Sequence, residues 1–314
     1  MTRFDDGFAP IAVATRSGFD ESLHHGVGVA LATDGSVIAH LGDPHLVVYP
    51  RSCLKPMQAH AMVGLGLDLP DELLAVACAS HAGSPMHLAA VRSILARHGL
   101  DESQLRNTPA PALGDPSSEP SSLRQNCSGK HAAMLATCVV NGWPTETYLD
   151  VDHPLQEAIA AAFDDLGCVV HHIGVDGCGA PTHALALDEL AGAFAWLSSV
   201  DAPVARAMRA DPLMVGGAEF DDTLWMRAVP GLVAKEGAAG MMVMALADGR
   251  AAAFKIADGS ALARRAVIPQ ALRVLGVDVD AAPASARDRA VVPVLGHGRE
   301  VGRIEPLEWT PWSS

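Results

Sequence analysis

The order of apolar segments in this chain predicts an α/β fold of the α+β type. Hairpins from the N- and C-terminal parts form one antiparallel sheet, packed with helices. Two observations carry that reading. The stretches GVGVALATDGSVIAHLGD (26–43) and GMMVMALADGRAAAFKIADGS (240–260) each hold an Asp-Gly turn between two apolar, strand-like runs. Between them lies a long Ala- and Leu-rich region whose apolar residues recur at helical spacing.

Taken in order, IAVATRSG (11–18) alternates as a strand, and the first hairpin follows with Asp34-Gly35 at its tip. HLVVYP (45–50) is a further strand. Lys55 to Gly64 is apolar along one side and reads as a helix, as does DELLAVACAS (71–80). SPMHLAAVRSILARHG (84–99) is a third, with Ser84 as N-cap and Pro85 in the first helical position. Residues 107–122, proline-rich and poor in apolar side chains, form a long loop. SGKHAAMLATCVVNG (128–142) is a helix closed by Asn141-Gly142. HPLQEAIAAAFDDLG (153–167) and PTHALALDELAGAFAWLSS (181–199) are helices with proline near their starts, and VARAMRA and DPLMVGG are shorter ones. GLVAKEG (231–237) returns to strand, and ADGR turns the second hairpin. SALARRAVIPQALRVLG (260–276) is a helix, and VVPVLGHGREVGRIEP (291–306) is a final strand pair. No repeat or linker interrupts the pattern, so residues 1–314 read as one domain, with a helical lobe within about 52–215.

Composition narrows the function classes. A formal net charge of −14 and 4% aromatic residues argue against binding nucleic acid, which needs cationic surface and stacking platforms. The same charge disfavours an anionic membrane surface, and no segment approaches the roughly 20 apolar residues of a membrane span. MTRFDDGFAP carries acidic residues where a signal peptide would be apolar, so the expected location is the cytoplasm. In that reducing setting the six cysteines read as thiols, Cys78 and Cys138 among them as small buried hydrophobes.

Several short blocks could carry chemistry. In YPRSCLKPMQAH, Ser52 and Lys55 stand three apart at a helix start, so an ammonium nitrogen could reach a hydroxyl on the same face. Lysine acts as a general base only when neutral, which burial and the positive end of a helix favour. The plain alternative is an ordinary capped first turn. The Arg51 guanidinium beside them could fix a carboxylate through two parallel bonds. Ser80-His81-Ala82-Gly83 is a polar joint between two apolar helices, either a site or a turn. Cys127 opens a helix with Lys130 one turn on, and Cys178 sits between glycines before another helix start. Two such cysteines could share a metal, for which thiolates suggest zinc, or be merely buried. Lys235-Glu236-Gly237 at a strand mouth resembles the third element of serine–lysine acyl-transfer enzymes, or is a solvated strand-end charge.

Together the blocks YPRSCLKPMQ, ASHAGSPMH, QNCSGKHAAML, GVDGCGAP and VAKEGAAG resemble the rhizobial-type, inducible L-asparaginases, the asparaginase II family. The resemblance covers nearly the whole chain. It implies a fold like that of serine β-lactamases and glutaminases, and hydrolysis of L-asparagine to L-aspartate and ammonia. It implies two serine–lysine pairs, Ser52 with Lys55 and Ser80 with Lys235, and zinc held by Cys127, Lys130 and Cys178. Arg51, Asp176, His131 and Gly237 are implied on the substrate side, His131 close to the metal, and a homodimer is implied as the assembly. The family pattern has an acidic residue after Lys235 where this chain has Ala238-Ala239, and Glu236 is the neighbouring carboxylate that could stand in. Two other readings remain open. One is a related serine–lysine hydrolase acting on glutamine, a β-lactam or an ester. The other is a non-catalytic protein that binds zinc or an amino acid on the same fold.

Overall fold

A computed structural model describes residues 7–312. The first six residues, MTRFDD, on which part of the expectation against export rests, lie outside them. β1 (Ala9–Arg16) turns into β2 (Phe19–Leu31) through Ser17 and Gly18, at φ 52° and 80°. Two successive left-handed residues make the turn type whose twist suits a two-residue hairpin. β2 begins seven residues before the apolar run that predicts it. Its first residues, FDESLHH, are mostly exposed and show no apolar alternation, yet they pair along β1. β3 (Val37–Leu41) completes the expected hairpin, and β4 (Val47–Val48) is short. A single 3-10 turn, Arg51–Leu54, runs into α1 (Lys55–Gly64).

α2 (Asp71–Ala77), α3 (Pro85–Arg97), α4 (Ser128–Asn141) and α5 (Pro154–Asp165) fall where the periodicity puts them. Gly142, left-handed at φ 66°, closes α4. Ser84 holds the N-cap position of α3, but its hydroxyl meets His87 Nδ1 at 2.7 Å instead of capping the backbone.

The next stretch departs from expectation. β5 (His172–Val175) is unread in the sequence, and PTHALALDELAGAFAWLSS divides into β6 (Pro181–Ala186) and α6 (Leu187–Ser199). All six residues of β6 are buried, and its pairing with β5 overrides the helical propensity of Ala and Leu. α7 (Pro203–Ala210) and α8 (Pro212–Val215) match the two short helices, whereas α9 (Asp221–Ala228) was not foreseen. β7 (Val233–Gly237), β8 (Met241–Ala245), β9 (Ala251–Ile256) and α10 (Ala261–Val274) follow the sequence closely. α11 (Ala284–Ala290) is extra, and β10 (Val292–Gly296), β11 (Arg299–Pro306) and β12 (Thr310–Pro311) end the chain.

The chain forms two compact units. The first comprises residues 1–53, 185–199 and 224–314. Its nine-stranded antiparallel sheet runs β10-β11-β1-β2-β9-β8-β7, with β3 also on β2 and β12 on β3. Within it α6 packs on β2, β8 and β9, and α10 packs on β1, β9 and β11. The fold is therefore mixed α/β around an antiparallel sheet, and that sheet joins hairpins from both ends of the sequence. No helix among the described residues is long and apolar enough to cross a membrane.

The second unit, residues 54–184 and 200–223, is mainly helical. α4 is its centre, buried from Ser128 to Cys138 and packed on α1, α2 and α3. Close approach of α2 requires Gly129: a Cβ there would overlap the Val76 carbonyl oxygen and lie 2.5 Å from Val76 Cγ1. Alanine is the better helix former by about 1 kcal/mol. Backbone overlap should outweigh it, so Gly129→Ala is expected to destabilise by at least about 2 kcal/mol. Urea unfolding measures this, and an unchanged or higher midpoint would contradict the packing described.

Candidate active site

In the first unit, the approach to Ser52 begins with Arg51, whose φ of 56° puts a non-glycine residue in the left-handed region. Such strain persists only where surrounding structure fixes it, and it gathers at functional sites. Ser52 follows, 9% exposed. The Cys53 backbone N–H donates to Pro50 O at 3.2 Å, and its thiol donates to Lys235 O at 3.1 Å. A Cβ on Gly237 would come within 2.5 Å of Pro50 O and 3.0 Å of Cys53 Sγ. The glycine of the Lys-x-Gly element thus lets the Ser52 turn lie directly against β7.

On β7, Lys235 is fully buried and its Nζ donates to Glu236 O at 2.9 Å. The Glu236 carboxylate is committed to the Arg264 guanidinium at 2.8 Å, both side chains being nearly buried. Arg264 also donates to Gly237 O at 3.3 Å. A carboxylate so neutralised is a poor substitute for the acidic residue that Ala238-Ala239 lacks.

In the second unit, Lys55 is 1% exposed at the start of α1. Its Nζ donates to Ala79 O at 2.6 Å and to Ser80 Oγ at 3.0 Å. Lys55 also hydrogen-bonds Cys127, which joins the lysine–serine group to the cysteines in one buried cluster. Cys127 stands at the N-cap of α4, and Lys130 lies in its first turn. A tight turn carries Cys178: Asp176 N–H donates to Ala180 O at 2.9 Å and Gly179 N–H to Asp176 O at 2.8 Å. Gly179 supplies the left-handed residue, at φ 91°. Lys130 Nζ then lies 3.3 Å from Cys178 Sγ, and Cys178 Sγ lies 3.9 Å from Asp176 Oδ2.

The Cys127 and Cys178 thiols are buried in one cluster. The neighbouring Cys178 first, with the Lys55 and Lys130 charges, holds the Cys127 thiol well below its usual range despite burial. Cys178 is pushed up by its pairing with Cys127 and by burial. Burial would lower Lys130, but the charges of Cys178, Cys127 and Asp176 outweigh it and raise its pKa. His131 is fully buried and held neutral by that burial and by the Lys130 and Lys55 charges. Its Nδ1 meets Tyr148 OH at 2.8 Å, while its buried Nε2 has no partner among the described residues.

By type these groups suit zinc: two cysteine sulfurs buried in one cluster are donors it favours. Lys130, with Nζ 3.3 Å from Cys178 Sγ, would add a nitrogen donor on losing its proton. No group of three His, Cys, Asp or Glu residues among those described could hold a metal, so the lysine would have to complete the set.

Of the residues read from sequence, Lys55, Ser80, Cys127, Lys130, Cys178 and Asp176 meet in the second unit. Arg51, Ser52, Lys235 and Gly237 belong to the first. Sequence reasoning missed Cys53, Arg264 and Tyr148 as supports. Cys53 adjoins a marked block, but nothing in its spacing signals the Lys235 carbonyl.

The L-asparaginase II family model matches residues 12–306. No protein with a curated description matches the chain. Among solved structures, a β-lactamase from Mycobacterium bovis is similar at 18% identity, over 75% of this chain and 88% of that one. Its TM-score to this chain is 0.42.

Proposed function

Because the chain belongs to the L-asparaginase II family, it is an amidohydrolase, and we propose that it hydrolyses L-asparagine to L-aspartate and ammonia by serine–lysine chemistry. The observation that carries the serine–lysine part is Lys55, buried with its Nζ on Ser80 Oγ, three residues after Ser52. Ser52 Oγ passes its proton to Lys55 and attacks the side-chain amide carbon. Backbone N–H groups at the helix start, that of Ser52 included, hold the developing oxyanion. The C–N bond breaks as a proton relayed through Ser80 and Lys235 reaches the nitrogen, and ammonia leaves. Water then adds to the acyl-enzyme, gives up its proton along the reverse relay, and Ser52 departs with its hydrogen restored.

Arg51 takes the substrate's α-carboxylate and Asp176 its ammonium, with His131 and Gly237 assigned to the substrate side by the family resemblance. Zinc, held by Cys127, Lys130 and Cys178, would neutralise the thiolate charge and offer an open coordination position to the substrate's amino or carboxylate group.

Ammonia release from L-asparagine and L-glutamine, with nitrocefin as a third substrate, tests this reading. Asparagine should be turned over at least about 100-fold faster than glutamine, as one extra methylene in a fitted pocket allows, and nitrocefin should be inert. Removal of zinc should raise KM for asparagine more than it lowers kcat. Loss of kcat at constant KM would refute the substrate-holding role of the metal. Folded protein that releases no ammonia with or without zinc would eliminate the asparaginase.

A further inference from the structure

We propose that His81, acting as a fixed neutral imidazole, is a positioning residue that sets Ser80 against Lys55 and ties it to the start of α4. The role rests on the asparaginase reading, but its geometry stands apart from it. The segment Ser80–Gly83 leaves α2 without regular structure, yet all its ends are tied. On one side Ser80 N–H donates to Val215 O at 3.0 Å and Ala82 N–H to Gly216 O at 2.7 Å. On the other, His81 N–H donates to Asn126 O at 3.2 Å.

The ring makes the third tie, and its partners fix its protonation. Ser128 Oγ lies 2.7 Å from Leu123 O and 2.9 Å from His81 Nε2. A hydroxyl has one hydrogen, and a carbonyl can only accept, so that hydrogen goes to Leu123 O. Nε2 must then donate to Ser128 Oγ. The Gly83 N–H points at Nδ1 from 3.1 Å, so Nδ1 must accept. Both nitrogens are satisfied only in the neutral Nε2–H tautomer. A second proton on Nδ1 would face the Gly83 N–H head on.

His87 stacks on the ring at 5.3 Å and 17°. It is itself fixed by Ser84 Oγ at 2.7 Å and Leu213 O at 2.9 Å. His81 is fully buried, and burial first, then the neighbouring His87 and Lys55, keeps it uncharged. Ser128 is the first residue of α4, adjacent to Cys127. One ring thus joins the residue after Ser80 to the residue after Cys127. A shift in it moves Ser80 Oγ relative to the Lys55 amine, and displacements near 1 Å can cost about 100-fold in rate.

Two conservative variants separate the two nitrogens. His81→Gln places an amide N–H near the position of Nε2 and can still donate to Ser128. His81→Asn places an oxygen near Nδ1 and can still accept from Gly83. With L-asparagine, His81→Ala is expected to lose about 100-fold in kcat with little change in KM. His81→Gln should return to within about 10-fold of wild type. His81→Asn should keep the low kcat while restoring slow hydrogen exchange at the Gly83 amide. Equal kcat per folded molecule in all variants, with only thermal stability reduced, would overturn the proposal. Should wild type release no ammonia, ring 15N shifts still decide the geometry: an Nε2–H tautomer unchanged from pH 5 to 8 is expected, and any other state refutes it.

Discussion

Replacing Ser52 by alanine is expected to lower asparagine turnover by about four to six orders of magnitude, the loss typical of removing a nucleophile that acts as one unit with its base. The change removes a single oxygen from a residue that is 9% exposed in a one-turn helix. Its stability cost should therefore stay near the 0.5–2 kcal/mol of a lost cap, about 1 kcal/mol, and folding should survive. Activity and stability then separate cleanly. Wild type stopped in mid-reaction should carry a serine ester on Ser52, visible by mass spectrometry as an added aspartyl group. The variant should show none. Residual turnover above about 1% of wild type would move the nucleophile elsewhere, since background catalysis from the remaining groups is far smaller. Ser80, on which Lys55 already donates, is then the next residue to test.

How much of this is legible in the sequence depends on the range of the interactions involved. Both hairpins were readable because an Asp-Gly turn and alternation are local signals, and Gly35 and Gly249 do adopt positive φ at their turns. β6 was misread because Ala184, Leu185 and Ala186 favour a helix in isolation, and only β5 and β4 lying alongside make them a strand. The polar first half of β2 was invisible for the complementary reason: exposed on its faces, it is held by backbone pairing with β1.

The same division runs through the site. Each marked block names its own residues, but spacing cannot show that Cys127 and Cys178 are buried in one cluster or that Lys55 reaches Ser80. Nor could it show that Glu236 is spoken for by Arg264, a residue on α10. On the proposed reading, the substrate's ammonium would then fall to Asp176.

Lys55 carries the second large effect, and here the choice of variant decides the role. Lys55→Ala should lower kcat by about 1,000- to 10,000-fold, the upper range for loss of a positioned general base. That loss alone is ambiguous, because Ala79 O and Ser80 Oγ also lose a donor and Cys127 loses a neighbouring charge. Lys55→Arg removes the ambiguity. A guanidinium keeps the positive charge and several N–H donors, but it does not release a proton in water, so it can satisfy Ala79 O and Ser80 Oγ without ever accepting from Ser52. If Lys55 is the base, the arginine variant should be as inactive as the alanine variant, while its stability to urea recovers toward wild type. A small primary amine added to Lys55→Ala should restore part of the rate, increasingly as pH rises through the amine's own pKa, because only the unprotonated amine can take the serine proton. An arginine variant retaining more than about a tenth of wild-type kcat would make Lys55 an electrostatic support, since general-base catalysis is worth at least about 100-fold. The proton of Ser52 would then have to leave by Lys235, fully buried on β7 behind the Ser52 turn.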